Sequence, residues 1–512
     1  ELNSTDRQQK WFRGWGYQYS NGGIPFVDYR LFKQSQEEGT DYYSNSFQYL
    51  RNLAYFGMAT YSYKARYTIN GTLRYEGSNM LGKSRQARWL PTWNVSASWN
   101  AHEENWWAPT FGKAWTYASL KGSYSLTADR GPASNSLAVF TSFTPWRPST
   151  SANESAIILA ALENSELTYE KKNELNIGVA LGFVDNRINV EFDWYRRNNF
   201  DLIGYTQTMG VGGVTTKLAN DATMESTGCE FTISTTNIKT KDFKWTTDWI
   251  FGWAENTITK LDSRSQVYSL VNGVGRTEGR PIGALYSIPF AGLTEEGLPT
   301  FFIDAEHTQV VGPGNYADIY FQEYENIDYL KYEGTIDPKI TGSFGNTFSW
   351  KGLKLNVFFT YSFGNVLRLD NLCPVYSSDY SDLTASMKEM KNRWMVPGDE
   401  NVTTIPSIPT VRQMREIDAL NNAYSAYNYS TERVAKGDFI RLKELSLAYD
   451  LPKKYFEGQN AVSSFGVKLS ATNLWLAYAD KKLNGRDPEY YNTGGVSSPV
   501  PRQFTLTVKL GF

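Results

Sequence analysis

Residues 173–198 read NELNIGVALGFVDNRINVEFDWYRRN, and this stretch decides the fold class. Apolar side chains stand at every second position before and after the turn at Asp185-Asn186. The two series are Leu175, Ile177, Val179, Leu181 and Phe183, then Ile188, Val190, Phe192 and Trp194. Polar residues such as Asn189, Glu191 and Asp193 stand between them. Because a β-strand places alternate side chains on opposite faces, the stretch predicts two antiparallel strands with one apolar and one polar face.

The same alternation recurs along the chain and predicts about thirteen strands. Their expected ranges are 53–62, 66–76, 89–100, 117–128, 173–184, 187–198, 226–237, 242–256, 340–350, 353–364, 436–450, 463–473 and 503–512. Most of these ranges are longer than the ~5–6 residues usual in soluble proteins and match the ~9–11 residues of a tilted strand in a bilayer. The pattern therefore favours membrane-spanning strands.

The links between these strands alternate in length. The shorter links are 63–65, 101–116, 185–186, 238–241, 351–352 and 451–462, and the longer ones are 77–88, 129–172, 199–225, 257–339, 365–435 and 474–502. Short periplasmic turns and long extracellular loops are typical of outer-membrane barrels. We therefore predict an all-β fold, a transmembrane antiparallel β-barrel.

Composition excludes several other classes of protein. The 512 residues carry 51 Lys and Arg against 53 Asp and Glu, so the net charge of −2 gives no field that would recruit nucleic acid. Two Cys and two His leave no disulfide scaffold and no cysteine zinc cluster. No apolar run approaches the ~18 residues of a spanning helix. The sequence presents no catalytic constellation, so we predict no enzyme activity, no cofactor and no metal.

The sorting of the links also predicts an orientation. The strand at 503–512 then runs toward the periplasm and leaves the C-terminus there, whereas residues 1–52 fall in an extracellular loop segment. We expect residues 53–512 to form the C-terminal part of a larger barrel, with the plug domain absent from this chain. The missing strands are expected on a separate N-terminal fragment, because a barrel edge must be paired in lipid.

A series of motifs resembles the C-terminal half of SusC/RagA-type TonB-dependent outer-membrane transporters. In order, they are YSYKARY at 61–67, LRYEGS at 73–78, ELNIGV at 174–179, NRI at 186–188, GRPIG at 279–283, AGL at 291–293, RWMVPGD at 393–399, GDFIRLK at 437–443, TNLW at 472–475, DPE at 487–489 and PRQF at 501–504. The motifs are short, and it is their order along residues 55–512 that carries the resemblance.

The resemblance implies a plugged barrel of 22 strands in the outer membrane of a Gram-negative bacterium. It implies TonB-dependent import of a bulky nutrient, an oligosaccharide or a peptide. The implied partners are a SusD-like lipoprotein lid, the N-terminal fragment with the plug, the TonB complex reached through that fragment, and outer-membrane lipid. A dimer of transporter–lid pairs is also compatible with it. Two alternatives stay open: a secreted all-β carbohydrate-binding or carbohydrate-active protein, and a passive porin.

Two sets of residues are candidates for contacts with cargo and with lipid. Loop tyrosines have rings that stack on sugar faces or grip peptide side chains, although they also suit a solvated loop core. The candidates are Tyr286, Tyr316, Tyr320, Tyr324, Tyr376 and Tyr380. The expected lipid-facing residues are Ile188, Val190, Phe192, Trp194 and the terminal Phe512.

Overall fold

The computed structural model describes most of the chain. The described residues are 1–12, 16–17, 24–25, 43–112, 114–133, 136–143, 156–210, 213–372, 388–452, 455, 463–491 and 501–511. Within them, no helix is both long and apolar enough to cross a membrane.

Fourteen strands form one antiparallel sheet in which each strand pairs with the next sheet strand along the chain. They are β1 (Leu2–Phe12), β2 (Tyr43–Tyr63), β3 (Tyr67–Ser78), β4 (Trp89–Asn100), β5 (Trp115–Asp129), β6 (Glu170–Phe183), β7 (Ile188–Gln207), β8 (Thr216–Lys239), β9 (Phe243–Leu261), β10 (Ile340–Trp350), β11 (Leu353–Phe363), β12 (Phe439–Asp450), β13 (Ser464–Ala479) and β14 (Gln503–Gly511). All thirteen predicted strands are present, and β1 is the additional one.

The pairing register sorts the side chains onto two faces. Val190 stands opposite Leu181 on one neighbouring strand and opposite Ile233 on the other. Glu191, one position on, stands opposite Ala180 and Thr232. Residues directly opposite each other project from the same face of an antiparallel sheet. We call the side with Val190 the apolar face and the side with Glu191 the polar face.

The prediction that residues 1–52 form a loop is wrong at both ends of this range. Leu2–Phe12 pairs with 43–53 in full register, so β2 crosses the boundary expected at residue 53. All eleven residues of β1 are exposed and their sequence, LNSTDRQQKWF, has no apolar alternation. A strand without a buried face leaves no period-two signal in the sequence.

The link expected at 199–225 is also mostly strand. β7 continues to Gln207 and β8 begins at Thr216, with a register shift after Asn199. β7 and β8 contain 20 and 24 residues. At ~3.3 Å per residue, each strand is much longer than the ~25 Å apolar band of an outer-membrane barrel. The hairpin is therefore too long to lie entirely within such a band.

Short turns close the opposite end of the sheet. The two-residue turn at Lys351–Gly352 has φ values of 46° and 89°. Two consecutive positive φ values are typical of the type I′ turn, whose twist matches that of paired strands. The second position takes glycine readily, because glycine has no Cβ to oppose this conformation.

Two of the long links, 257–339 and 365–435, pack together at the other end of the sheet into what we call the loop core. It contains the short helices α1 (Val267–Val271), α2 (Val411–Glu416) and α3 (Leu420–Asn428). Small antiparallel sheets join Ala284–Ser287 to Lys331–Thr335, and Phe290–Leu293 to Pro299–Phe302 and Val310–Val311. Fully buried side chains hold these pieces together; they include Leu270, Ile288, Phe301, Tyr316 and Tyr427. These two links thus form one folded cap and not separate loops.

Shorter elements complete the described secondary structure. Arg85–Arg88 and Trp107–Phe111 are single helical turns, and short 3-10 turns occur at Ala101–Glu103, Tyr316–Asp318, Lys388–Asn392, Asp399–Asn401, Thr431–Arg433, Lys481–Leu483 and Pro488–Tyr490. Short strand pairs join Gly16–Tyr17 to Ile24–Pro25, Val139–Phe143 to Ala156–Ala161, and Val366–Arg368 to Val434–Lys436.

Candidate functional site: the polar face and the loop core

The polar face carries ion-paired side chains on β6 and β7, in the part of these strands that lies away from their connecting turn. The Arg197 Nε atom lies 3.0 Å from Glu174 Oε2, and Lys172 Nζ lies 2.9 Å from the same oxygen. The Arg197 guanidinium also stacks over the Tyr195 ring at 3.9 Å. Stacking on one side and an ion pair on the other restrict this arginine to one orientation.

Nearer the short turns, a cavity of about 460 Å³ opens on the same face. Lys354, Lys468 and Lys509 line it together with the carboxylates of Glu444 and Asp450. Among these groups, Lys468 Nζ lies 3.3 Å from Glu444 Oε1. The polar face therefore carries charges of both signs at both levels.

Arg368 joins the pieces of the loop core. Its guanidinium donates hydrogen bonds to three backbone carbonyl oxygens: Ser430 O at 2.9 Å, Val271 O at 3.2 Å and Tyr286 O at 2.5 Å. Burial lowers the pKa of this guanidinium to about 10, and the nearby Glu333 carboxylate opposes that decrease. Arg368 is charged at neutral pH and connects α1, the strand at 284–287 and the segment after α3.

Two further arginines make buried contacts: Arg433 joins pieces of the link 365–435, and Arg441 joins β12 to the link that contains Asp487. Arg433, only 3% exposed, lies 2.5 Å from Glu389 Oε2 and donates to Asp370 O at 2.6 Å. Arg441 on β12, 4% exposed, is ion-paired with Asp487. A buried ion pair that loses one partner leaves an uncompensated charge, so these contacts hold the cap in place.

Sequence reasoning missed these arginines. Arg441 lies inside the GDFIRLK motif, and its position on the polar face of β12 follows from alternation with Ile440 and Leu442. That alternation was the available signal for its orientation. Arg368 and Arg433 gave no such signal, because their partners are backbone atoms or lie far away in sequence.

The predicted tyrosines do not form one site. Tyr316 was wrongly assigned to cargo contact: it is 0% exposed and its hydroxyl donates to Pro299 O at 2.8 Å. Burial raises its pKa. Tyr286 is half-buried against the loop core and shares a hydrogen bond of 2.7 Å with Thr277 Oγ1. The Tyr316 ring lies inside the loop core, and the Tyr286 ring packs against it.

Two other tyrosines remain accessible, and two lie elsewhere. Tyr320 is 58% exposed. Tyr324 is half-buried beside a cavity and accepts a hydrogen bond from Gln266 Nε2. Tyr376 and Tyr380 lie outside the described residues.

The predicted lipid-facing residues agree with one face. Ile188, Val190, Phe192 and Trp194 all project from the apolar face of β7, opposite Thr235, Ile233, Phe231 and Cys229 of β8. Phe512 lies outside the described residues.

Both histidines make contacts with neighbouring residues of the protein. A ring nitrogen of His102 lies 2.9 Å from Ala118 O, and His307 stacks on Phe302 with ring centroids 5.0 Å apart. In the part of the chain that the structure describes, no three His, Cys, Asp or Glu side chains are grouped as metal ligands.

Long strands with one polar and one apolar face, short turns at one end and a folded cap at the other define the wall of an outer-membrane β-barrel. Comparison with known proteins specifies the kind of barrel. No family model matches the chain. The chain is 26% identical over 487 residues to TonB-dependent receptor P3 of Formosa agariphila. The matched region covers 89% of this chain and 45% of that protein.

A second relative and a solved structure agree with the first. TonB-dependent receptor SusC of Bacteroides thetaiotaomicron is 28% identical over 214 residues, 41% of this chain and 21% of that protein. The structure of the RagAB peptide transporter matches with a TM-score of 0.70 at 22% identity, covering 92% of this chain and 49% of that one. The resemblance to SusC/RagA-type TonB-dependent receptors is thus confirmed in sequence and in fold. The chain spans about half the length of the long curated relatives it matches.

Proposed function

We propose that this chain forms part of a TonB-dependent importer of a bulky nutrient across the outer membrane of a Gram-negative bacterium. The observation that carries the proposal is the fourteen-stranded antiparallel sheet with one polar and one apolar face, whose fold matches the barrel of the RagAB peptide transporter. The relatives that match over most of the chain are named receptors and not enzymes.

In this proposal the apolar face meets lipid. Ile188, Val190, Phe192 and Trp194 contact hydrocarbon, and Phe512 continues the series. The polar face lines the interior, where charged pairs such as Arg197–Glu174 remain hydrated. The short turns lie in the periplasm together with the C-terminus, and the loop core faces outward.

The edges of the sheet indicate one of the partners, the one that supplies the missing strands. In the described residues, β1 and β14 each pair on one side only, and an unpaired edge is not stable in hydrocarbon. An N-terminal fragment with the remaining strands and the plug supplies the missing pairs and the contact with TonB. A SusD-like lipoprotein lid covers the loop core, and two transporter–lid pairs form a dimer.

The cargo is an oligosaccharide or a peptide, and accessible loop tyrosines contact it. Tyr320 is exposed at the surface of the loop core, whereas Tyr286 and Tyr324 are half-buried. An aromatic ring offers a flat apolar face that suits both sugars and peptide side chains. Tyr376 and Tyr380 extend this set.

The test is growth and uptake with defined nutrients. Deleting the gene should abolish growth on one class of oligosaccharide or peptide, and restoring it should recover growth only when TonB is present. Uptake that persists without TonB would support a passive porin. A chain that is monodisperse in buffer without detergent would support a secreted protein and overturn the proposal.

Tyrosine variants refine this test. Tyr320→Ala should raise the nutrient concentration needed for half-maximal uptake, with the protein still assembled at normal levels. Tyr316→Phe is the matched control, because its ring lies inside the loop core and cannot reach cargo. Removal of its hydroxyl should lower stability by about 1–3 kcal/mol and leave that concentration unchanged.

A further inference from the structure

A cavity of about 500 Å³ lies between the β7–β8 hairpin and the segment 263–276. We call it the Asp221 cavity. Its polar lining includes Asp221, Arg264, Arg276 and Tyr324, and Gly204 forms part of its wall. The cavity is a separate place from the arginine contacts that hold the loop core.

Asp221 is a buried carboxylate with an incomplete set of partners. The residue is 3% exposed, and its Oδ2 atom accepts a hydrogen bond of 2.7 Å from Ser263 Oγ. Its Oδ1 atom is buried without a hydrogen-bond partner. Within the described residues, no Lys, Arg or His nitrogen lies within the 4.0 Å of an ion pair with it. A buried carboxyl oxygen without a hydrogen-bond donor is costly, so this arrangement favours a donor from outside the chain.

Arg276 approaches the same point from another side. A Cβ atom placed on Gly204 would lie 3.2 Å from Asp221 Oδ2 and 3.7 Å from Arg276 Nη1. The absence of a side chain at Gly204 therefore keeps open a space that both charged groups border. The backbone of Arg276 is fixed by two hydrogen bonds with Ser265 Oγ, at 2.8 and 2.9 Å. Its guanidinium is free of ion pairs and hydrogen bonds in the part of the chain that is described.

We propose that the Asp221 cavity binds a ligand's ammonium group that has an oxygen atom beside it, either a carbonyl or a hydroxyl oxygen. The ammonium group donates to the Asp221 carboxylate, whose Oδ2 atom borders the space beside Gly204, and Arg276 donates to the neighbouring oxygen. Charge-assisted hydrogen bonds of this kind are about twice as strong as neutral ones, so a neutral hydroxyl in place of the ammonium group fits this site less well. The inference rests on the proposed function, since it describes where part of the cargo is held.

Two sources supply such a group: the amino terminus of a peptide, and an amino sugar. Calorimetry on the detergent-purified outer-membrane complex that contains this chain separates them. The probes are triglycine and N-acetyltriglycine, and glucosamine and N-acetylglucosamine. At least one free amine should bind ten or more times tighter than its acetylated counterpart. Preference for triglycine indicates a peptide, and preference for glucosamine indicates an amino sugar. Equal binding of amine and amide in both pairs would overturn the proposal.

Variants place the effect at this cavity. Asp221→Asn keeps the size of the side chain and should weaken binding of the free amine at least tenfold. The matched control is Asp262→Asn, because Asp262 is exposed and pairs with Lys260 at 3.1 Å. Unchanged amine binding in Asp221→Asn would assign the carboxylate a purely structural role. If that variant fails to assemble, the comparison of amine with amide on the unaltered complex still decides.

Uptake is measured separately so that the two proposals fail independently. TonB-dependent uptake without amine preference would reject the Asp221 site and keep the transporter. Amine binding without any TonB-dependent uptake would reject the importer and keep a binding site.

Discussion

Tyr361 on β11 stands directly opposite Gly342 on β10, and its ring occupies the space that a side chain there would fill. A Cβ atom on residue 342 would lie 2.5 Å from Tyr361 Cζ. The Tyr361 hydroxyl donates to Ile250 O at 2.9 Å and accepts a hydrogen bond from Trp249 Nε1 at 2.9 Å. One ring thus connects three neighbouring strands on the apolar face.

Gly342→Ala should therefore destabilise the barrel. The added methyl group displaces the Tyr361 ring and both of its hydrogen bonds, at a cost of about 1–3 kcal/mol. Thermal unfolding of the purified complex measures the loss. Gly71→Ala is the matched control in β3, where an added Cβ has no atom within 4 Å, and it should change stability by less than about 0.5 kcal/mol. Equal effects at the two glycines would contradict this packing relationship.

Arginine substitutions distinguish the two faces of β7. Val190→Arg and Phe192→Arg should each cost about 2–4 kcal/mol near the bilayer midplane, because the guanidinium enters hydrocarbon. Glu191→Arg should be much milder, because that side chain projects from the polar face. Denaturant titration of the complex folded in lipid vesicles measures the three values. Similar costs at 190 and 191 would show that the faces are assigned incorrectly.

Arg368→Lys should loosen the loop core. A lysine cannot reproduce the fork that reaches Ser430 O, Val271 O and Tyr286 O, so the local free energy of opening should fall by about 3–5 kcal/mol. Hydrogen exchange in peptides covering 267–288 and 425–434 measures this change. The control is Arg412→Lys: its side chain is 82% exposed and, among the described residues, its ion pair is with Glu416, so the effect should stay below about 0.5 kcal/mol. Protection that survives in Arg368→Lys would rule out this role.

The hydrogen bonds of Asp304 predict that the local stability of the surrounding segment depends on pH. Its carboxylate accepts hydrogen bonds from the Thr308 backbone N–H at 2.9 Å, the Gln309 N–H at 2.7 Å and the Thr308 hydroxyl at 2.8 Å. These donors, the Thr308 N–H foremost, hold the pKa of Asp304 below its usual range. A lowered pKa in the folded state contributes stability above the unfolded pKa of about 4, and that stability is lost as the pH falls through the folded pKa.

The protection of the segment 303–310 against hydrogen exchange, taken relative to the intrinsic exchange rate at the same pH, should therefore be high near neutral pH and lower in acid. Asp304→Asn should exchange faster at neutral pH and lose its difference from the unaltered protein at low pH. Asp318→Asn serves as control, because the Asp318 side chain makes no hydrogen bond within the described part of the chain. A difference at Asp304 that persists unchanged in acid would contradict the assigned hydrogen bonds.

The strands could be predicted from the sequence because alternation is a local property. Leu175 to Trp194 specify two strands, their turn and their two faces without reference to any other part of the chain. β1 escaped prediction because its residues are exposed on both sides and carry no such pattern. The extension of β7 to Gln207 was missed for a related reason: beyond the apolar band the alternation fades, although the pairing continues.

The sequence by itself determined the class of fold, the two faces of the sheet and the resemblance to SusC/RagA-type receptors, since each depends on neighbouring residues or on the order of short motifs. Only the tertiary structure decided that the links 257–339 and 365–435 form one packed core, that Tyr316 is an interior residue, and that Asp221 and Arg276 border the same cavity. Those relationships join positions up to a hundred or more residues apart. Burial and charge pairing between such positions depend on how the whole chain folds back on itself, which no local pattern encodes.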